Sequence, residues 1–99
     1  MKPVIRARIK MKSEAEGGRH GPFNEGYCPH FVVEGKKDWL GVRAVRCPHF
    51  VNPDEEREVD FELMYAPALD YRDLSVGSSF AIHEGSKVVG VGIVIEHQE

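Results

Sequence analysis

Apolar and polar residues alternate with a period of two along most of the chain, which predicts strands rather than helices. VIRARIKM sets Ile5, Ala7, Ile9 and Met11 on one face against Arg6, Arg8 and Lys10 on the other, the pattern of a half-buried strand. EVDFELMY repeats it, with Val59, Phe61, Leu63 and Tyr65 expected inward and Asp60 and Glu62 outward. HFVVE, WLGVRAV and SSFAIHE are rich in the β-branched and aromatic side chains that suit a pleated surface. KVVGVGIVIE is apolar on both phases and reads as a strand buried on both sides.

Turn-forming clusters separate these runs: EGGRHGPFNEGY, EGKKD, NPDEE, APALD, SVGSS and EGSK. Glu84-Gly85-Ser86-Lys87 predicts a tight hairpin between the last two strands. Six short strands with no amphipathic helix predict an all-β fold, a six-stranded antiparallel closed β-barrel forming one domain over residues 1–99. Gly90 and Gly92 inside the last strand fit that reading, because closure needs sharp coiling or close approach of neighbours.

Charge changes the picture in one respect. Lys2, Arg6, Arg8, Lys10 and Lys12 open the chain without an acid, whereas Asp54, Glu55, Glu56, Glu58, Asp60 and Glu62 crowd its middle. The plain expectation is two solvated strand faces of opposite sign; the sharper one is a basic stripe that meets nucleic acid or an acidic partner. A formal net charge of −3 weighs against a general phosphate binder. No apolar run approaches the ~20 residues that cross a bilayer, so no membrane partner is expected. With two cysteines and no signal-like segment, a reduced cytoplasmic protein is the expectation.

The tetrapeptide Cys-Pro-His-Phe occurs twice, at Cys28 to Phe31 and Cys47 to Phe50. Cys and His at i and i+2 on a strand share a face, so Cys28, His30, Cys47 and His49 would make the Cys2His2 set that zinc favours. Against this, C-x-H is not the usual zinc spacing, and Cys28 and Cys47 are expected at opposite ends of a hairpin. The same separation argues against a disulfide. Free cysteines and no metal are the expectation.

The stretches EGGRHGPFNEGYCPHFVV and FAIHEGSKVVGVGIVIE carry a resemblance. They are similar to the C-terminal (third) domain of bacterial elongation factor Tu, through Glu16 to Phe23, Gly26 to Phe31 and Phe80 to Gly92. The similarity extends over essentially the whole chain, as a relative of that domain standing alone. It implies a six-stranded barrel and no cofactor, since no G-x-x-x-x-G-K-[ST] loop is present to cradle a nucleotide. In the family this domain contacts the T stem of tRNA and packs against the GTPase domain. The resemblance places Arg19, His30 and Gly85 at tRNA-facing positions, where His30 replaces a glutamine. Two further such positions carry Cys28 in place of arginine and Leu40 in place of threonine.

Other chemistry is sparse. His20 belongs to a loop that packs as structure in the family, and His83 and Glu84, being adjacent on a strand, should point to opposite faces. Trp39, Tyr27 and Phe23 either stack on bases or fill the core and its loops. The expected function is therefore that of a non-catalytic module binding a translation factor or other protein, with self-association as a variant. The alternative is tRNA or other RNA bound through Arg19, His30 and Gly85.

Overall fold

A computed structural model of the chain describes residues 2–47 and 49–98. Six strands form a closed antiparallel barrel: β1 (Val4–Met11), β2 (His30–Val33), β3 (Leu40–Arg46), β4 (Glu56–Leu63), β5 (Ser79–Glu84) and β6 (Lys87–Gln98). Around the barrel they follow the order β1-β4-β3-β2-β5-β6, with β6 returning to β1. A 3-10 turn, Glu14–Glu16, stands in the first long loop. No helix among the described residues is long and apolar enough to cross a membrane.

The period-two reading locates the core. Ile5, Ala7, Ile9 and Met11 are buried, as are Phe61 and Val59 opposite Ile5 and Ala7 on β4, and Leu63 at its end. Phe31 stacks on Phe80 with ring centroids 4.0 Å apart and meets Phe61 edge-on at 4.9 Å, so three strands share one aromatic centre. The β5–β6 hairpin turns at Gly85, whose φ of +61° is the left-handed value that the first central position of a II′ turn requires.

Gly92 explains its own presence. It lies opposite Phe80 on β5 and Ile9 on β1, and an added Cβ would stand 2.6 Å from the Phe80 ring. Gly90 likewise sits against the Lys10 carbonyl and the Met11 sulfur. The strand that seals the barrel therefore has no side chain where its neighbours crowd it.

Three expectations are corrected. Tyr65 is not inward: it lies beyond the end of β4, 52% exposed, with its ring covering Gly41. Tyr71 is buried in its stead, and its hydroxyl donates to the Gly41 carbonyl at 2.6 Å and accepts from the Tyr65 amide at 3.1 Å. Asp60 is on the outward phase of β4 and yet only 3% exposed, because Arg6 and Arg46 lie over it. A bulge between Ala44 and Arg46 puts Arg46 opposite Asp60. Finally, β6 is buried on one side only. Val91 is 53% exposed and Ile93 36%, since a closed barrel has one interior and nothing in the described chain covers this outer face.

The separate charged faces also become one. β1 and β4 are neighbours whose register sets Arg6 against Asp60, Arg8 against Glu58 and Lys10 against Glu56. Arg6 pairs with Asp60 at 2.9 Å and Arg8 with Glu58 at 3.4 Å. The two arginines of the basic stripe are thus answered by acids of the same chain.

Candidate interaction surface

The outward phases of β2, β5 and β6 form an apolar face. Register places Val32 beside Ala81 and Ala81 beside Val91, with Ser79 beside Ile93 in the next row. The side chains of Ser79 and Ala81 are short, while Val32 rises on one side and Val91 and Ile93 on the other. The result is a trough along β5 of about 570 Å³, reaching Gly35 and Lys36 at one end. Arg8, Lys10, Glu34 and Glu56 stand around it, so an apolar floor carries a rim of both signs. The apolar area is modest, so what sets the trough apart is its shape, a low floor between raised aliphatic walls, rather than a large hydrophobic patch.

The outer row continues past the trough to His83 and, opposite it, His30. Trp39, 43% exposed, lies against both, tilted over His83 at 4.6 Å and edge-on to His30 at 5.7 Å. Trp39 belongs neither to the core nor to a loop plug. Phe23 does: it is buried and stacks on Tyr27 at 4.5 Å.

The three positions expected to face RNA cluster at this end of the β2–β5 pair. Gly85 makes the hairpin turn two residues after His83, and Arg19 is tied to Glu84 beside it. The guanidinium of Arg19 is already engaged. Its Nε donates to Glu84 at 2.8 Å, its Nη1 donates to the carbonyls of Gly21 and Pro22, and its plane lies 4.7 Å over the Tyr27 ring. The Tyr27 hydroxyl donates to the same Glu84 oxygen at 2.5 Å. Burial, reinforced by the Glu84 carboxylate, drives the Tyr27 phenol above its ordinary range. Burial also opposes ionisation of Glu84, but the hydrogen bonds from Tyr27 and Arg19 and the Arg19 charge together hold its carboxyl below the usual range. This cluster pins the glycine-rich loop to the barrel and offers neither a nucleophile nor a free base.

The remaining histidines and both cysteines are dispersed. His20 is exposed and bonded to Glu14, and the His97 imidazole is bonded to the Leu74 carbonyl at 2.7 Å. Cys28 and Cys47 are both free. They are not at opposite ends of a hairpin: residues 26–33 run alongside β3, with Gly26 and Tyr27 bonded to Ala44. Cys47 lies further along, its amide against Glu25. Pro48 of the second tetrapeptide lies outside the described residues. No group of three or more His, Cys, Asp or Glu side chains suited to one metal ion occurs among the described residues. Burial, with smaller contributions from Glu25 and Asp60, raises the Cys47 thiol to about 11.

The trough and Trp39 escaped a reading of the strands one by one. The signal was present in the outward phases, where Ser79 and Ala81 are small and Val91 and Ile93 are aliphatic. Strand order was needed to see that the small residues lie between larger ones. The family model described as "Elongation factor Tu C-terminal domain" matches residues 2–97.

Proposed function

The chain belongs to the elongation factor Tu C-terminal domain family, and from that membership and the trough on its outer wall we propose that it is a non-catalytic, translation-linked protein-interaction module. The occupant we infer is the folded surface of a translation factor, in the first place its GTPase domain. One observation carries the reading: Val91 and Ile93 stand exposed beside a floor of Ser79 and Ala81 in a chain whose other apolar strand positions are mostly interior. Covering what remains exposed of Val91 (53%) and Ile93 (36%) contributes about 0.5–1.5 kcal/mol each, enough to anchor a modest interface together with the rest of the trough. The pairing of Arg6 and Arg8 with acids of β4 and the internally bonded Arg19 favour a protein partner over RNA.

The test is calorimetric titration of the protein with a purified elongation factor Tu GTPase domain, alongside Ile93→Glu and Val91→Lys variants. Saturable 1:1 binding, weakened roughly tenfold or more by either variant, is the expected result. Because apolar burial has little enthalpy near 25 °C, the titration is run at about 10 and 35 °C, and absence of heat at both up to about 100 μM sinks the proposal. Anisotropy of labelled tRNA at about 50 and 200 mM salt examines the other reading, where tight, steeply salt-dependent binding lost in Arg19→Ala would establish RNA as the ligand.

A further inference from the structure

We propose that His30 and His83 form a two-histidine site for a divalent transition metal of the imidazole-preferring class, Ni²⁺, Cu²⁺ or Zn²⁺. The two residues are directly opposite on adjacent antiparallel strands. Their neighbours Phe31 and Ile82 point into the core, so both imidazoles belong to the outer face, where each is half-buried. Opposite side chains in such a pair have Cβ atoms about 4.5–5.5 Å apart. Two imidazoles, each bonding a metal at about 2.0–2.1 Å, close that gap by rotation about their side-chain torsions.

An independent feature points the same way. The Nδ1 of His83 is buried and has no hydrogen-bond partner. A buried ring nitrogen in that condition holds an unused proton or an unused lone pair, and native structures seldom leave either unanswered. The neighbouring carboxylate does not answer it, because Glu84 is turned to Arg19 and Tyr27. The thiol of Cys28, two residues before His30, is bonded to the Gly26 carbonyl at 3.2 Å. No third protein ligand occurs among the described residues, so the remaining positions fall to water, and the His83 ring must turn its buried Nδ1 outward to share the ion with His30. Neutral imidazole suits copper, nickel and zinc and disfavours calcium and magnesium.

Trp39 is the only tryptophan in the chain and lies against both imidazoles, so it reports directly on a paramagnetic ion held between them. The experiment titrates the purified protein with NiCl₂ in a non-chelating buffer near neutral pH and follows Trp39 emission. The expected result is saturable 1:1 quenching in the micromolar range. His30→Gln and His83→Gln should each weaken it roughly tenfold or more, since even second-shell losses at metal sites cost 10–100-fold. His49→Ala and Cys28→Ser should leave it unchanged. A measurement on the unaltered protein guards against loss of fold in the variants: Ni²⁺ should broaden the imidazole resonances of His30 and His83 before those of the other histidines. Unsaturable quenching, wild-type affinity in either glutamine variant, or broadening that spares this pair overturns the proposal.

Discussion

Replacing Gly92 with alanine tests how the barrel closes. The new Cβ would stand 2.6 and 2.8 Å from Cζ and Cε1 of Phe80 and 2.9 Å from Cγ2 of Ile9. Neither neighbour retreats easily: both are buried, and the Phe80 ring is stacked at 4.0 Å on Phe31, which is itself packed against Phe61. Inserting atoms into a core this tight costs about 1–3 kcal/mol. The unfolded state moves the other way, since alanine in place of glycine recovers about 0.4–1 kcal/mol of chain entropy where the backbone permits it. The difference spans about 0–2.6 kcal/mol. The 2.6 Å approach to a stacked ring places the expected net loss at about 1–2 kcal/mol, a fall in Tm of about 5–15 °C for a domain of this size. Thermal unfolding by circular dichroism measures it. Phe80→Leu in the Gly92→Ala background should return part of the loss, giving a coupling of at least about 0.5 kcal/mol. Gly35→Ala supplies the contrast, because Gly35 has φ +81° with no atom within 4 Å of the added carbon. Its cost is backbone strain, which Phe80→Leu cannot relieve. A Gly92→Ala protein as stable as the parent, or a loss that Phe80→Leu leaves untouched, would refute the steric account of β6.

Asp60→Ala removes the acceptor shared by Arg6 at 2.9 Å and Arg46 at 2.6 Å. It is expected to lower Tm by about 5 °C or more, with Glu58→Ala, at the edge of the same face, changing it little; equal effects in parallel melts would remove Asp60 from its central place. The cysteines should react unequally. Cys28 is exposed, whereas the Cys47 thiol, raised to about 11, is ionised to only about one part in a thousand at pH 8. Iodoacetamide followed by peptide mass mapping should find Cys28 modified first. The Cys47 rate should then climb about tenfold per pH unit toward that value, and equal labelling at pH 8 would contradict its burial.

Much of the fold was legible because one face of most strands is interior. The alternation in VIRARIKM leaves only one register in which Ile5, Ala7, Ile9 and Met11 all escape water, and the barrel uses it. Gly90 and Gly92 marked the crowded strand in advance. The errors came where alternation meets something non-local. Tyr65 continues the phase of Val59, Phe61 and Leu63, but β4 ends at Leu63 and the following turn delivers Tyr71 to the inside. The burial of Asp60 depends on a bulge in β3 and on Arg6 and Arg46, one from each flanking strand. No reading of β4 alone contains those arms.

The candidate surface was hidden for the same reason, with a different consequence. Apolar residues on both phases of a strand have two physical explanations: a second layer of the same chain, or a surface that some other molecule covers. KVVGVGIVIE, taken alone, fits the first. The closed barrel removes that choice, because β5 and β1 already flank β6 and a single interior takes Val89, Gly90 and Val94. Val91 and Ile93 are then left to water by the topology itself. Their exposed parts, about half of Val91 and a third of Ile93, are the surface that the proposed partner would cover. His30 and His83 follow a related logic. The repeated Cys-Pro-His-Phe directed attention to His49 as the partner of His30, yet the barrel sets His83 there instead, a pairing that only the β2–β5 register creates.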